Sequence, residues 1–159
     1  MCFVLDINIF HCIFSSNSKE YTEFSPLRNW LFSNPRTSLV VGGTTYRNEL
    51  KQLTKYLGML IELEKKKKIT KISNDVVDAE EKRVRSLVGH RDFDDPHIVA
   101  IFCASRCRIF ASHDKRSDQF IKRKEFYPKG QKLPRIYRNK RHQKLLTEAN
   151  IVPLHNLCS

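Results

Sequence analysis

Short strand-like runs separated by segments of helical periodicity constrain this chain more than any other feature. Residues 3–7, 38–41, 69–73, 108–112 and 133–137 are brief stretches rich in apolar and β-branched side chains, as strands require. Between them, apolar residues recur every three or four positions. Residues 8–14 continue the first strand as a helix. Ser25-Pro26 places a capping hydroxyl directly before a proline whose φ is already helical, and Leu27, Trp30 and Leu31 follow at helical spacing. After the tight-turn signal Gly42-Gly43, residues Tyr46, Leu50, Leu53, Leu57, Leu60 and Ile61 predict one amphipathic helix from 44 to about 66, the longest element of the chain. Lys65, Lys66, Lys67 and Lys68 lie at its C-terminal end, where positive charge suits the helix dipole. Residues 75–87 read as a charged helix and 117–124 as a shorter one. Asp95-Pro96 is a helix start in which aspartate can cap free amides, with Ile98, Val99, Phe102 and Cys103 as the buried face. Strands alternating with helices give an α/β protein with a mainly parallel sheet covered on both faces, and ligands collect at the carboxyl ends of such strands.

A length of 159 residues suits a single domain, 1–159, with one core. Residues 1–14 are apolar, but they lack a basic leading segment and Asp6 interrupts them, so no signal peptide is expected. No other apolar run approaches the roughly 20 residues of a membrane span; a cytoplasmic location without a membrane partner is the expectation. The five cysteines (Cys2, Cys12, Cys103, Cys107, Cys158) are expected to be reduced. Cys103 and Cys107 are spaced for a soft metal, but no second close pair completes a zinc pattern.

The net charge is +12, and its placement is more informative than its size. Residues 115–144 hold twelve Lys or Arg against two acids, so ten of the twelve net charges fall in one segment. Phe120, Phe126, Tyr127, Ile136 and Tyr137 interrupt the cations, which predicts folded structure presenting a cationic face rather than a solvated tail. A polyanion is the partner such a face suits, with Lys115, Arg116, Lys122, Arg123, Arg135, Arg138 and Arg141 as candidate phosphate contacts.

Four acids stand at the ends of these elements. Asp6 closes the first strand in Phe3-Val4-Leu5-Asp6-Ile7-Asn8; Glu49 lies early in the long helix in Tyr46-Arg47-Asn48-Glu49-Leu50; Asp95 begins Asp95-Pro96-His97-Ile98-Val99-Ala100; Asp114 follows Arg108-Ile109-Phe110-Ala111-Ser112-His113. An aspartate in an apolar strand is costly to bury unless paired or coordinated. Each acid also has a plainer explanation: a cap for Asp6 and for Asp95, an exposed helix position for Glu49, a turn for Asp114. Taken in order, the four motifs resemble the PIN-domain nuclease family over nearly the whole chain. What the resemblance implies is a three-layer α/β/α fold and an acid pocket holding Mg2+ or Mn2+ for phosphodiester hydrolysis. In it Asp6 and Asp114 ligate directly, Asp95 completes the site, Glu49 ligates or orients water, and Asn8 and Ser112 support the ligands. Asp94 and Asp118 are the reserves should the register differ. All-oxygen ligands suit magnesium better than zinc. The resemblance also implies an endoribonuclease, with RNA or single-stranded DNA as substrate. The stand-alone size favours the toxin-like group of the family, for which an antitoxin or other regulatory protein is a partner; a homodimer is compatible with the same reading.

Two rivals follow from the same residues. One is a non-catalytic nucleic-acid-binding protein of this fold, resting on residues 115–144 alone. The other is a metal-independent ribonuclease with His113 and His142 as acid and base.

Overall fold

The computed structural model describes residues 3–89 and 93–153. Cys2 and Cys158, named above, lie outside them. Five parallel strands form one sheet in the order β3-β2-β1-β4-β5, with β1 at Phe3–Leu5, β2 at Leu39–Gly42, β3 at Ile69–Ile72, β4 at Ile109–Ala111 and β5 at Arg135–Tyr137. The expected α/β architecture is therefore present, and the sheet is parallel throughout. Every residue of β1, β2 and β4 is buried, which is why these strands read as continuous apolar runs. The edge strands β3 and β5 carry the exposed positions, Lys71 and Arg135 among them.

Helices α1 (Phe10–Phe14) and α2 (Ser25–Ser33) connect β1 to β2; α5 (Asn74–Leu87) and α6 (Pro96–Ser105) connect β3 to β4. The first connection moves one way across the sheet and the second moves back, so right-handed crossovers put the two helix pairs on opposite faces. Helix α6 is buried along nearly its whole length, packing on α5 and over β1, β2 and β3. Between β4 and β5 run α7 (Asp118–Ile121) and a 3-10 turn at Lys124–Phe126. The chain leaves β1 toward β2 and leaves β4 toward β5. The carboxyl ends of β1 and β4 therefore flank the topological switch point, where an open parallel sheet leaves a crevice.

Four local expectations change. The helix predicted from 44 to about 66 is two helices, α3 (Thr44–Gln52) and α4 (Leu57–Lys65), separated at Leu53 (φ −78°, ψ 55°) and by a 3-10 turn at Thr54–Tyr56. An unbroken helix of that span would run about 34 Å at 1.5 Å per residue. The strands it must bridge extend only about 13 Å at roughly 3.3 Å per residue, so one straight helix would overrun the sheet. The longest helix is instead α5, with 14 residues. Ser25 does not cap α2: its hydroxyl donates to Thr22 O (2.8 Å), closing the preceding turn. The helix expected over 117–124 stops at Ile121. Lys68 turns inward, only 7% exposed, and its Nζ donates to Asn34 O (2.7 Å) instead of lying along a helix end.

Candidate active site

Asp6 is the first residue past β1, and its amide donates to Ala111 O (2.9 Å), prolonging the β1–β4 ladder to the crevice. Both carboxylate oxygens are fixed there. Oδ1 accepts from the Asn8 amide (3.0 Å), capping the 3-10 turn Ile7–Ile9, and Oδ2 accepts from Ser112 Oγ (2.7 Å). The Ser112 hydroxyl in turn accepts from the Asp114 amide (3.0 Å), so one fully buried side chain joins the ends of β1 and β4. Ser112 thus supports Asp6 through its side chain, whereas Asn8 does so through its main chain. The capping explanation for Asp6 is realised, yet it occupies one oxygen only.

Glu49 reaches the same place from α3. Tyr46, one turn earlier, is fully buried and donates its hydroxyl to Leu5 O (2.7 Å), fixing that face of α3 against the end of β1. Glu49 is half-buried, and its Oε2 lies 3.3 Å from Nε2 of His97. Burial first, and then Asp95, Asp6 and Glu81, hold its carboxyl above the usual range. Tyr56, seven residues after Glu49, sits in the 3-10 turn beyond the break.

Asp95 occupies the position before α6, but its side chain makes no capping hydrogen bond (φ −115°, ψ 46°). Capping therefore does not account for it. Its carboxyl is pushed up to about 6, by burial first and then by Asp6, Asp114 and Asp94. At both Glu49 and Asp95 burial is the largest cause, and neighbouring carboxylates add to it. Asp114 is different. Arg116 donates to both its oxygens, from Nε at 3.2 Å and from a terminal nitrogen at 3.1 Å, and this contact pulls the Asp114 carboxyl below its usual range. Of the reserves, Asp94 is exposed beside Asp95, and Asp118 is taken by Arg138.

The fold thus gathers Asp6, Glu49, Asp95 and Asp114 around the carboxyl ends of β1 and β4, near enough that Asp6 and Asp95 act on Glu49, and Asp6 and Asp114 on Asp95. Among the described residues, no three of them bring oxygens within 4.8 Å of one another. The donor set is all hard oxygen, which fits Mg2+ or Mn2+; among the described residues, an arginine pairs with Asp114 and none pairs with Asp6, Glu49 or Asp95.

Two participants escaped the sequence reading. His97 is 3% exposed, its Nδ1 finds no hydrogen-bond partner among the described residues, and burial lowers its pKa to about 4. The ring is neutral, so the nitrogen facing Glu49 carries its proton in the tautomer that donates. Glu81 is buried, accepting from Thr45 Oγ1 (3.0 Å) and pairing with Arg85 (2.7 Å). Its position four residues after Val77 and three before Val84, both fully buried, was the available signal.

In the basic segment, Phe120, Phe126, Tyr127 and Tyr137 are buried while Lys115, Arg116, Lys122, Arg135 and Arg141 are exposed, a folded cationic surface. Arg123 pairs with Glu125, and Arg138 with Asp118, so these two are partly spoken for. Next to Asp114, His113, Lys115, Arg138, Asn139, Lys140 and Arg141 line a groove of about 650 Å³ together with Glu23. The His113 ring packs edge-on against Phe24 (5.1 Å), and His142 accepts from the Arg138 amide through Nδ1 (3.3 Å). Cys103 Sγ donates to Phe126 O (3.2 Å) and Cys107 is fully buried; both are core residues and form no metal cluster among the described residues. No described helix is long and apolar enough to cross a membrane. No family model, no curated protein and no solved structure matches the chain.

Proposed function

We propose that this chain is a metal-dependent nuclease, an endoribonuclease before a deoxyribonuclease, that cleaves a phosphodiester at the crevice between β1 and β4. The observation that carries the reading is the uncapped, partly buried Asp95 beside Asp6 and Glu49 at the topological switch point, an arrangement a dication would relieve. Asp6, Glu49 and Asp95 would hold Mg2+ or Mn2+, with Asp114 joining them when Arg116 turns away. A bound dication supplies polarisation of the phosphodiester and neutralises its charge.

The chain's own residues do the rest. Ser112 and the Asn8 amide keep the Asp6 carboxylate from rotating. Neutral His97 orients Glu49 toward the attacking water. Burial and neighbouring acids push the Asp95 carboxyl up to about 6, and a bound dication would stabilise its ionised form. Arg116 is largely exposed, so a substrate phosphate can take its guanidinium from Asp114. The groove after Asp114 receives the flanking backbone. RNA as the preferred strand, a toxin-like role and a neutralising antitoxin or other regulatory protein come from the PIN resemblance.

A second reading, a nucleic-acid-binding protein without catalysis, draws on the engagement of Asp114 by Arg116 and of Asp118 by Arg138. Cleavage of defined RNA and DNA strands separates the two. Wild type with Mg2+ or Mn2+ should cut, EDTA should stop it, and Asp6→Asn should lower the rate at least about a hundredfold while strand binding persists. Binding without cutting in either metal would sink the nuclease reading.

A further inference from the structure

Neighbouring residues on a helix point about 100° apart and do not normally meet. His11 and Cys12 do. Nε2 of His11 lies 3.3 Å from Cys12 Sγ, and the same sulfur lies 3.4 Å from Oε2 of Glu20, brought back by the loop after α1. One ligand atom from each of the three falls within 4.8 Å of the other two. In tetrahedral zinc, with Zn–S about 2.3 Å and Zn–N or Zn–O about 2.0–2.1 Å, ligand atoms stand roughly 3.3–3.6 Å apart. The two sulfur distances already match that spacing.

We propose that His11, Cys12 and Glu20 form a second metal site, sharing no residue with the acid cluster, that takes a borderline-soft dication of the Zn2+ kind. A thiolate, an imidazole and a carboxylate select against Mg2+ and Ca2+, which prefer oxygen alone. Cys12 is fully buried, Glu20 half-buried and His11 exposed, so the sulfur anchors the ion and the imidazole closes it from the solvent side. Three protein ligands leave the fourth position to water. The thiol gives up its proton on binding, one proton released per ion. The loop so fastened runs on to Glu23, whose carbonyl accepts from the Tyr137 hydroxyl (3.1 Å) and whose carboxylate meets Lys140 (3.5 Å). Loading the ion would therefore brace one wall of the basic groove.

Co2+ titrated into the metal-free full chain reads the site directly. The expected result is one equivalent bound with a sulfur-to-cobalt charge-transfer band and tetrahedral d–d bands, displaced by stoichiometric Zn2+ and untouched by excess Mg2+. Asp6→Asn should leave the band intact. Cys12→Ser should abolish it, with circular dichroism to verify folding. His11→Ala and Glu20→Gln, at accessible positions, should each weaken Co2+ about tenfold or more. Absence of the band in wild type, its survival in folded Cys12→Ser, or unchanged affinity in both His11→Ala and Glu20→Gln overturns the proposal.

Discussion

At neutral pH Asp95 must ionise while partly buried and facing three other carboxylates. The sign of the cost follows from linkage. The folded carboxyl titrates near 6 and the unfolded one near 3.8, so between these values the folded state holds the extra proton. Stability from this group is present below pH 3.8, declines as pH rises, and is gone above 6. The penalty there is up to about 3 kcal/mol, at about 1.4 kcal/mol for each tenfold. Asp95→Asn should therefore raise Tm in EDTA at pH 7.5, leave it nearly unchanged at pH 3.5, and abolish cleavage. Thermal melts at the two pH values check it, and a lower Tm at pH 7.5 would mean that the charge is not under strain. The acids themselves could be read from the sequence, because polar residues at the ends of apolar runs need a reason. Their partners could not. Arg116 two residues beyond Asp114, and His97 within the Asp95 motif, are near in sequence, but only the packed fold decides which carboxylate each meets.

The turn between β2 and α3 shows how one element positions another. Gly43 has φ +81°, and a Cβ placed there would lie 2.6 Å from Cγ1 of Val77 on α5. The start of α3 has no side-chain cap of its own; Asp78, one residue after Val77, accepts from the Thr44 amide (2.7 Å) and hydroxyl (2.6 Å) instead. Helix α5 thus caps α3 and through it aims Tyr46 and Glu49. Gly43→Ala should cost about 2–4 kcal/mol, adding left-handed strain to overpacking, and should lower activity through displacement of Glu49. Chemical denaturation measures the first; a loss under about 1 kcal/mol would show that the turn yields freely. Gly42-Gly43 was legible as a turn, and the strands on either side of it as apolar runs. The break at Leu53 was not, because the apolar spacing from Tyr46 to Ile61 is uninterrupted. A straight helix through all of these positions would overrun the short strands of the sheet, a constraint that belongs to the assembled fold.

Across the whole molecule, charge is divided between the acid crevice and the surface next to it. Outside residues 115–144 the net charge is only +2, so a nucleic acid approaching this protein is steered by that one segment. Because β5 and the turns around it fold the segment against the sheet, Lys115, Arg138, Lys140 and Arg141 hold fixed places in the groove next to Asp114. Fixed cations make countable phosphate contacts. For a single strand, each contact contributes about −0.7 to the slope of log K against log salt. Lys115 and Arg141 are exposed and line the groove. Lys115→Ala combined with Arg141→Ala should flatten the slope by about 1.4 and weaken binding most at low salt, with the melting temperature unchanged. The measurement is fluorescence anisotropy of a labelled single-stranded RNA across a salt series, using Asp6→Asn as background to prevent cleavage. An unaltered slope in the double variant would place the strand elsewhere on the protein, and the groove beside Asp114 would lose its role in guiding a phosphodiester to the acids.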